Sequence, residues 1–513
     1  MTLNSDTIIH EIRQEFTKLI DYVTNDAAHQ ATAYEIERGL FFWLLRLGAK
    51  LLSLFFVSRA ENLSRAPLTL EDDTMLPYHS EKKRNYKSVF GRMPIWGPYF
   101  YKQGLTSRWP LAAELSLAED CYSDFLRELS EFVGVQLPYN VTCDLEARFL
   151  NVALSTRPLQ AMIATDSAAV EAYYAQKPPP LVATEAEILV VQADGKGVPI
   201  IRATPAETKV RLKKGQKRGR KKEAVVTTVY TIAEASRTPE MVIQSLFDQE
   251  TPQLDPPPKP QHKQLWATLE DKDTALARLA HQVEAREGPH IQHRVALCDG
   301  CVALQKRIEK HFPEFELLLD FIHPHEYLWD TANALWGEDH PDRTAWVREK
   351  TCQMLHSQTA ELIEEFRQLA EQDSGTERQR KQLLKTAGYF ERNLPYMDYA
   401  TYLARGWPIA SGVIEGACRH FVKDRLELSG MRWTLEGAEN LLRLRAVAEN
   451  GDWDAYHDFR RRQRHTRLYT TPYPGHLPEQ TMVAEGDADP AISALSTPWA
   501  MSPGISDCVA VAA

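Results

Sequence analysis

Cysteine is scarce in this chain: the seven, at 121, 143, 298, 301, 352, 418 and 508 of 513 residues, are too few and too scattered for a secreted disulfide framework. A reducing cytosol is the expectation. The opening MTLNSDTIIHEIRQEF lacks a basic stretch followed by an apolar one, so it reads as no export signal. Positive charge is also in deficit, with 60 Lys plus Arg against 70 Asp plus Glu and a net charge of −10. That balance excludes a small basic nucleic-acid binder but leaves room for a local basic patch. Uninterrupted hydrophobic runs are missing too. Residues 39–57, GLFFWLLRLGAKLLSLFFV, nearly suffice to span a bilayer, yet Arg46 and Lys50 sit near the middle, each costing about 2.5–3.5 kcal/mol there. Spaced four apart, they share a helical face and favour a packed amphipathic or buried helix over a membrane segment. No repeat of solenoid period is present.

What is there is ordinary globular material, 43 % apolar and 25 % charged, enough at roughly 100–200 residues per domain for two to four domains. Apolar residues at helical spacing predict helices over 7–24 and 34–57 within a helical N-terminal region, 1–84. YKSVFGRMPIWGPYFY, between 85 and 104, predicts a β-hairpin or two edge strands, followed to about 180 by helices. Two of these, around LEARFLNVAL and RPLQAMIA, read either as a helix-turn-helix or as two packed helices. Past a Pro-rich break at 176–186, strands are expected at ILVVQA (188–193), VPIIRA (198–203) and AVVTTVYTIA (224–233), then HRVAL (293–297) and FELLL (315–319) separated by helices. Three closely connected strands followed by helix-separated ones suggest an antiparallel meander with parallel additions. This is the layout of an α/β, RNase H-like core, with 181–325 as its first part. An all-helical insertion spans 326–405, 406–468 completes the core, and 469–513 has the composition of a disordered tail.

Two acids stand out. Asp194 follows ILVVQA in ADGKG and Asp299 follows HRVAL in CDGC, each with glycine next to it. Carboxylates held rigidly at strand ends suit hard divalent metals and phosphodiester chemistry, while Asp-Gly is equally a common turn signal. A third acid is expected from a helix packed on the sheet: Glu415, in ASGVIEGACRH, opens a helical pattern in which Arg419 and Lys423 share its face and could meet phosphates. The plainer alternative is an exposed Glu415–Arg419 pair.

The segments QADGKGVPI, CDGCVALQKRIEKHFPEFELLLDFIHPHEYLW and SGVIEGACRHFVKDRLELSGMRWT resemble those of bacterial insertion-sequence DDE transposases of the Kra-four type and, more distantly, Mutator-like transposases. The resemblance covers roughly residues 85–460. It implies an RNase H-like core in which Asp194, Asp299 and Glu415 hold two Mg²⁺ ions, with Mn²⁺ a substitute. Cleavage at the element's end and attack of the freed 3′-hydroxyl on target DNA would follow. Asp320 and His323, spaced as Asp-x-x-His, resemble a supporting motif of the Mutator-like group; Asp320 also competes with Asp299 as second metal ligand. A buried structural Asp–His pair would look the same. The resemblance further implies transposon-end and target DNA as partners, a homo-oligomer, no membrane and a cytoplasmic, nucleoid-associated location. The alternatives are an inactive DNA-binding derivative and a nuclease that does not join. Under it, 1–84 would serve assembly and 85–180 recognition of DNA ends.

KVRLKKGQKRGRKK (209–222) carries nine Lys or Arg and no acid, and as a loop or hairpin tip it is the expected DNA contact through Lys213, Lys214, Lys217, Arg218, Arg220, Lys221 and Lys222. A solvated loop is the alternative. RRRQRHTR (460–467), with five Arg, could extend that surface, and Arg425 joins Arg419 and Lys423 as a candidate phosphate contact. Trp433 reads as a base-stacking or a packed core residue. Cys298 and Cys301 lack a second ligand pair for zinc and read as small packing residues.

Overall fold

The apolar run ILVVQA does not stop at Asp194. In the computed structural model, which describes residues 4–70, 72–150, 152–201, 221–248, 258–372, 375–428, 430–469 and 471–474, it continues as one strand, β1 (Ile188–Pro199). β2 (Lys221–Ile232) runs antiparallel beside it from Ile188 opposite Ile232 to Pro199 opposite Lys221. β3 (Gln261–Thr268) is antiparallel to β2, β4 (His293–Cys298) parallel to β1, and β5 (Glu316–Leu319) parallel to β4. The result is a mixed sheet of order β3-β2-β1-β4-β5.

Two expectations change. The strand expected at 188–193 runs on without a break to Pro199, into the start of the one expected at 198–203, whose residues 202 and 203 lie outside the described residues; Gly195 and Gly197 permit this, because a Cβ there would meet the side chains of Glu223 and Lys221 on β2. The third strand is β3, in a stretch that reads as a Pro-rich link. Its first three residues are exposed and only Leu265–Thr268 are buried, so half its pattern is silent.

Alternation along the strands builds two cores. Ile188, Val190, Val295, Leu297 and Leu318 face the helical insertion, which contributes Leu328, Phe366, Phe390 and Tyr399. Leu189, Val191, Ala193, Ala296 and Leu317 face the opposite side, against Leu276 and Leu279 of helix Lys272–Glu284 and Leu304 and Ile308 of helix Val302–His311. The insertion is helical as expected: Ile322–Trp336, Asp342–Leu355, Thr359–Glu371, Glu377–Asn393 and Tyr399–Ala404.

This sheet unit spans Tyr174–Gly451; the preceding chain and the segment from Asp452 form a second compact unit. In it, helix Ser5–Thr24 is capped by Asn4, and helix Ala33–Glu61 opens with a reciprocal Thr32–Glu35 capping box. The long helix is only partly packed. Phe56 meets Tyr86 edge-on and Lys50 pairs with Glu11 at 2.7 Å, yet Phe41, Phe42, Leu44, Leu51 and Phe55 stay exposed. The helix is long and apolar enough to cross a membrane, and its apolar window is 6 % buried; one face packs, as expected of an amphipathic helix, and it is not a buried one. The hairpin Tyr78–Ser88 and Gly91–Phe100 begins at Tyr78, ahead of the expected 85. Tyr139–Phe149 and Thr156–Ser167 are helices, and the second buries Leu159, Met162 and Ile163.

Helix Trp453–Leu468 belongs to this unit and not to the sheet unit that 406–468 was expected to complete. Its arginines are engaged by acids and carbonyls of the same unit. Arg460 and Arg464 are buried against Asp124 at 3.2 and 2.5 Å, Arg461 pairs with Glu128, Arg462 with Asp458 and Arg467 with Glu119. Burial opposes the charge on Asp124, but the hydrogen bonds and charge of Arg464, with Arg460 and Arg127, outweigh it and hold the carboxyl at about 2. A carboxyl depressed in the fold adds stability above its unfolded value, about 3.9, that is lost as pH falls through the folded value. Urea melts from pH 7 to pH 2 should therefore show this unit weakening below about pH 4. Asp124→Ala should cost about 3 kcal/mol at pH 7, because it leaves buried Arg464 without its carboxylate and Arg460 with Asp166 alone, and should flatten that dependence.

Candidate catalytic and metal site

The parallel strands end at one level. β1 pairs with β4 up to Gln192 opposite Leu297, and β4 with β5 up to Cys298 opposite Leu319. Asp299 and Asp320 follow directly, while Asp194 lies two residues past the last parallel pair, still within β1 and opposite Val226 of β2. On β1, alternation sets Gln192 and Asp194 on the same side as Ile188 and Val190, toward the insertion.

Two buried polar side chains bring Glu415 to this edge. Gln192, fully buried, donates from Nε2 to the Tyr230 hydroxyl (2.9 Å) and accepts the Ile414 N–H at Oε1 (3.0 Å). Asp320, also fully buried, accepts the Ser411 N–H at Oδ1 (2.6 Å), and its Oδ2 accepts from His323 Nδ1 (2.7 Å). The Phe321 N–H donates to the Ile409 carbonyl at 2.8 Å. The bonds to Ser411 and Ile414 tie the entrance of helix Gly412–Ala417 to the sheet, the Ile414 N–H being shared with the Ser411 carbonyl (3.0 Å), and set Glu415 in its first turn. Beyond it, Cys418–Lys423 is a π-helical turn. Arg445, itself buried, donates to the carbonyls of His420 (2.7 Å) and Phe421 (2.8 Å) within that turn. Cys418 Sγ donates to Asp194 Oδ2 at 3.2 Å.

Asp320, His323 and Glu415 present ligand atoms all within 4.8 Å of one another, a mixed carboxylate–imidazole set that could hold a divalent cation. Asp194 and Asp299 stand around it. Burial first, then Asp320, Glu326 and Asp194, push the Glu415 carboxyl up, against the opposing pull of His323. Asp299 is half-buried and accepts the Cys301 N–H at Oδ1 (3.1 Å). Among the described residues the compact set is Asp320, His323 and Glu415; Asp194 lies outside it and acts on Glu415 through its charge, as Asp299 does on His323.

Three contributors were not read from sequence. Gln192 left one signal, an amide inside an apolar run. Cys418 left none. Tyr389, from helix Glu377–Asn393, stacks on Tyr327 at 4.1 Å between centroids, and its ring lies where a Cβ on Gly300 would stand, 2.6 Å away. Burial and then nearby groups including Asp299 and Asp320 push its phenol up. Nothing local in sequence brings an insertion residue to that glycine.

The basic residues divide. Arg419 and Lys423 are exposed on the π-helical turn. Arg425 is 1 % exposed, its guanidinium 5.1 Å over the Trp433 ring, so it is no phosphate contact. Trp433 is buried, donates from Nε1 to the Leu426 carbonyl (3.0 Å) and extends the end of β1 through Ile201 and Pro199; it is a core residue, not a stacking platform. Lys221 pairs with Glu427, while Lys222 is exposed. Lys213, Lys214, Lys217, Arg218 and Arg220 lie outside the described residues. Cys298 is buried in the core with Sγ donating to the Asp299 carbonyl (2.9 Å), in keeping with packing. Concavities of about 420 and 280 Å³ lie elsewhere, one lined by Ile243, Arg348 and Cys352, the other by Tyr86, Phe90 and Tyr122.

No family model matches the chain, and no curated protein matches it significantly.

The Asp320 hydrogen bond, opposed by burial and aided by the charges of Asp320, Glu415 and Asp299, lifts His323 to about 9. A histidine raised in the fold contributes stability that is complete below its unfolded value, about 6.5, and lost as pH rises through about 9. An NMR titration of the metal-free protein should find His323 protonated at pH 7.5. Asp320→Asn should return it toward an ordinary value; an unchanged titration would refute the pairing.

Proposed function

We propose that this chain is a DDE-type DNA transposase with an RNase H-like core. The observation that carries the reading is the edge just described. A β3-β2-β1-β4-β5 sheet sets Asp194 and Asp299 beyond the last pairs of adjacent parallel strands, and an all-helical insertion precedes the helix that brings Glu415 to them. The open setting of this edge, with Glu415 exposed and Asp194 and Asp299 half-buried, suits an extended polymer.

Asp194, Asp299 and Glu415 are the proposed ligands of a Mg²⁺ pair, for which carboxylate oxygens are the right donors and Mn²⁺ a substitute. Such a pair supplies Lewis-acid stabilisation to the attacking and leaving oxygens of a phosphodiester. Asp320 spends both oxygens on Ser411 and His323, which favours Asp299 as second ligand and makes Asp320 a positioning residue. The compact Asp320–His323–Glu415 set supports a second reading, with Asp320 as the ligand. Arg419 and Lys423, exposed beside Glu415, face the phosphate backbone, as does the basic run opening β2. Water would cut at the element's end, and the freed 3′-hydroxyl, held at the same edge, would attack target DNA in line. The protein forms no covalent link to DNA in this scheme and works at the nucleoid.

The test is joining of a labelled element end to target DNA. Asp194→Ala, Asp299→Asn and Glu415→Gln should each lower it by about 100-fold or more with unchanged melting, an effect of about 2.7 kcal/mol. Asp320→Asn should also lower the melting temperature, because it removes the buried charge that pairs with His323. Normal joining by Asp194→Ala would end the proposal; normal joining by Asp299→Asn with loss only in Asp320→Asn would favour the second reading.

We propose the first two helices as the contact of a homo-oligomer. Phe16, Ile20 and Val23 repeat at i, i+4 and i+7, and Phe41, Leu44, Leu51 and Phe55 at i, i+3, i+10 and i+14, all exposed. Helix Ser5–Thr24, packed on the apolar helix, carries Glu11, Arg13, Glu15, Lys18 and Asp21, which a bilayer would not admit. A second copy covers these stripes instead. Light scattering should find a dimer, and Leu44→Asp with Leu51→Asp should give a folded monomer.

A further inference from the structure

The strand Tyr78–Ser88 carries an unusual run, EKKRNYK, and the structure sorts it by face. Tyr86 packs inward with Met93, Ile95, Phe56 and Leu111. On the other face, register sets Lys83 opposite Trp96, Asn85 opposite Pro94 and Lys87 opposite Arg92. Lys83, Asn85, Arg92, Pro94 and Trp96 are exposed there, the tryptophan by 40 %. Lys83 stands 5.6 Å over the Trp96 ring and Lys87 4.8 Å over Tyr122. Among the described residues no carboxylate pairs with Lys83, Lys87 or Arg92. Glu81, the acid of the run, is already engaged by Arg65 at 3.0 Å. The outward face is thus a cationic strip with an amide near its centre and one exposed indole.

Its dimensions matter as much as its charge. The strands have 11 and 10 residues. At about 3.3 Å per residue the ribbon is ~35 Å long, close to one turn of duplex DNA, and a two-stranded ribbon is one of the elements the major groove, about 12 Å wide, admits. The inner face is held by the apolar cluster on helix Ala33–Glu61, so the ribbon meets a ligand as a rigid body.

We propose that the outward face of this hairpin docks in the major groove of duplex DNA. Lys83, Lys87 and Arg92 contact phosphates, Asn85 reaches a base edge, and Trp96 lies against the sugar–phosphate wall. The proposal rests on the DNA partner of the preceding reading but adds a surface remote in sequence from the acids, and it needs no metal.

Binding of the full chain to a labelled 30-base-pair duplex is followed by anisotropy in EDTA across a salt series. Lys83→Ala with Arg92→Ala should weaken binding at least tenfold and reduce the salt slope by about 1.8, two phosphate contacts' worth. Trp96 fluorescence should change on binding, and Trp96→Phe should remove that change while leaving the fold, checked by thermal melting, intact. The binding assay is run in EDTA and reads duplex affinity alone, independently of the joining assay, so a failed catalytic reading and a failed surface give different results. Unchanged affinity and slope in the double variant would overturn the proposal. So would single-stranded DNA or RNA competing better than the duplex.

Discussion

Two buried hydrogen-bonding side chains, Gln192 and Asp320, organise the acid edge. Each is fully buried in an apolar setting, where an unpaired amide or carboxylate is costly, and each is satisfied by a backbone N–H at the entrance to the Glu415 helix. The cost of leaving them unpaired is what makes the geometry definite. The start of a helix and two buried acceptors at the sheet edge complete one another, and Glu415 is carried along as the residue after Ile414.

The π-helical turn after Glu415 extends the same logic. Its widened register gives Cys418 a position to donate to Asp194, and the carbonyls of the turn are met by Arg445 from helix Leu435–Glu449. Arginines elsewhere are used in the same structural manner: Arg425 under Trp433, and Arg460 and Arg464 around Asp124. In this chain a run of positive charge is an unreliable guide to a nucleic-acid surface, because several cations are already neutralised internally. Among the described residues, cations without a paired carboxylate stand on the hairpin face, while Arg419 on the π-helical turn reaches Asp424 at 4.0 Å. The net charge of −10 says nothing about that distribution.

Much of the sheet was legible. The strands at 188, 224, 293 and 315, the helices between them and the helical insertion follow from β-branched runs and from period-3.6 patterning. What failed was local reading of mixed signals. Glycines beside Asp194 imitate a turn yet permit an uninterrupted strand, and β3 hides behind an exposed polar half and a Pro-rich approach. The first hairpin was placed late because half of EKKRNYK faces solvent, which obscures its alternation.

For the site, the sequence alone determined which chemistry was on offer: acids directly beyond apolar strands, a glutamate at a helix start, an Asp-x-x-His pair. It also determined their order along the chain. Only the tertiary structure decided who is near whom. The tight set is Asp320, His323 and Glu415, with Asp194 and Asp299 beside it, and Tyr389 reaches Gly300 from the insertion. Those relations depend on buried backbone hydrogen bonds between segments far apart in the chain, and no local periodicity encodes them.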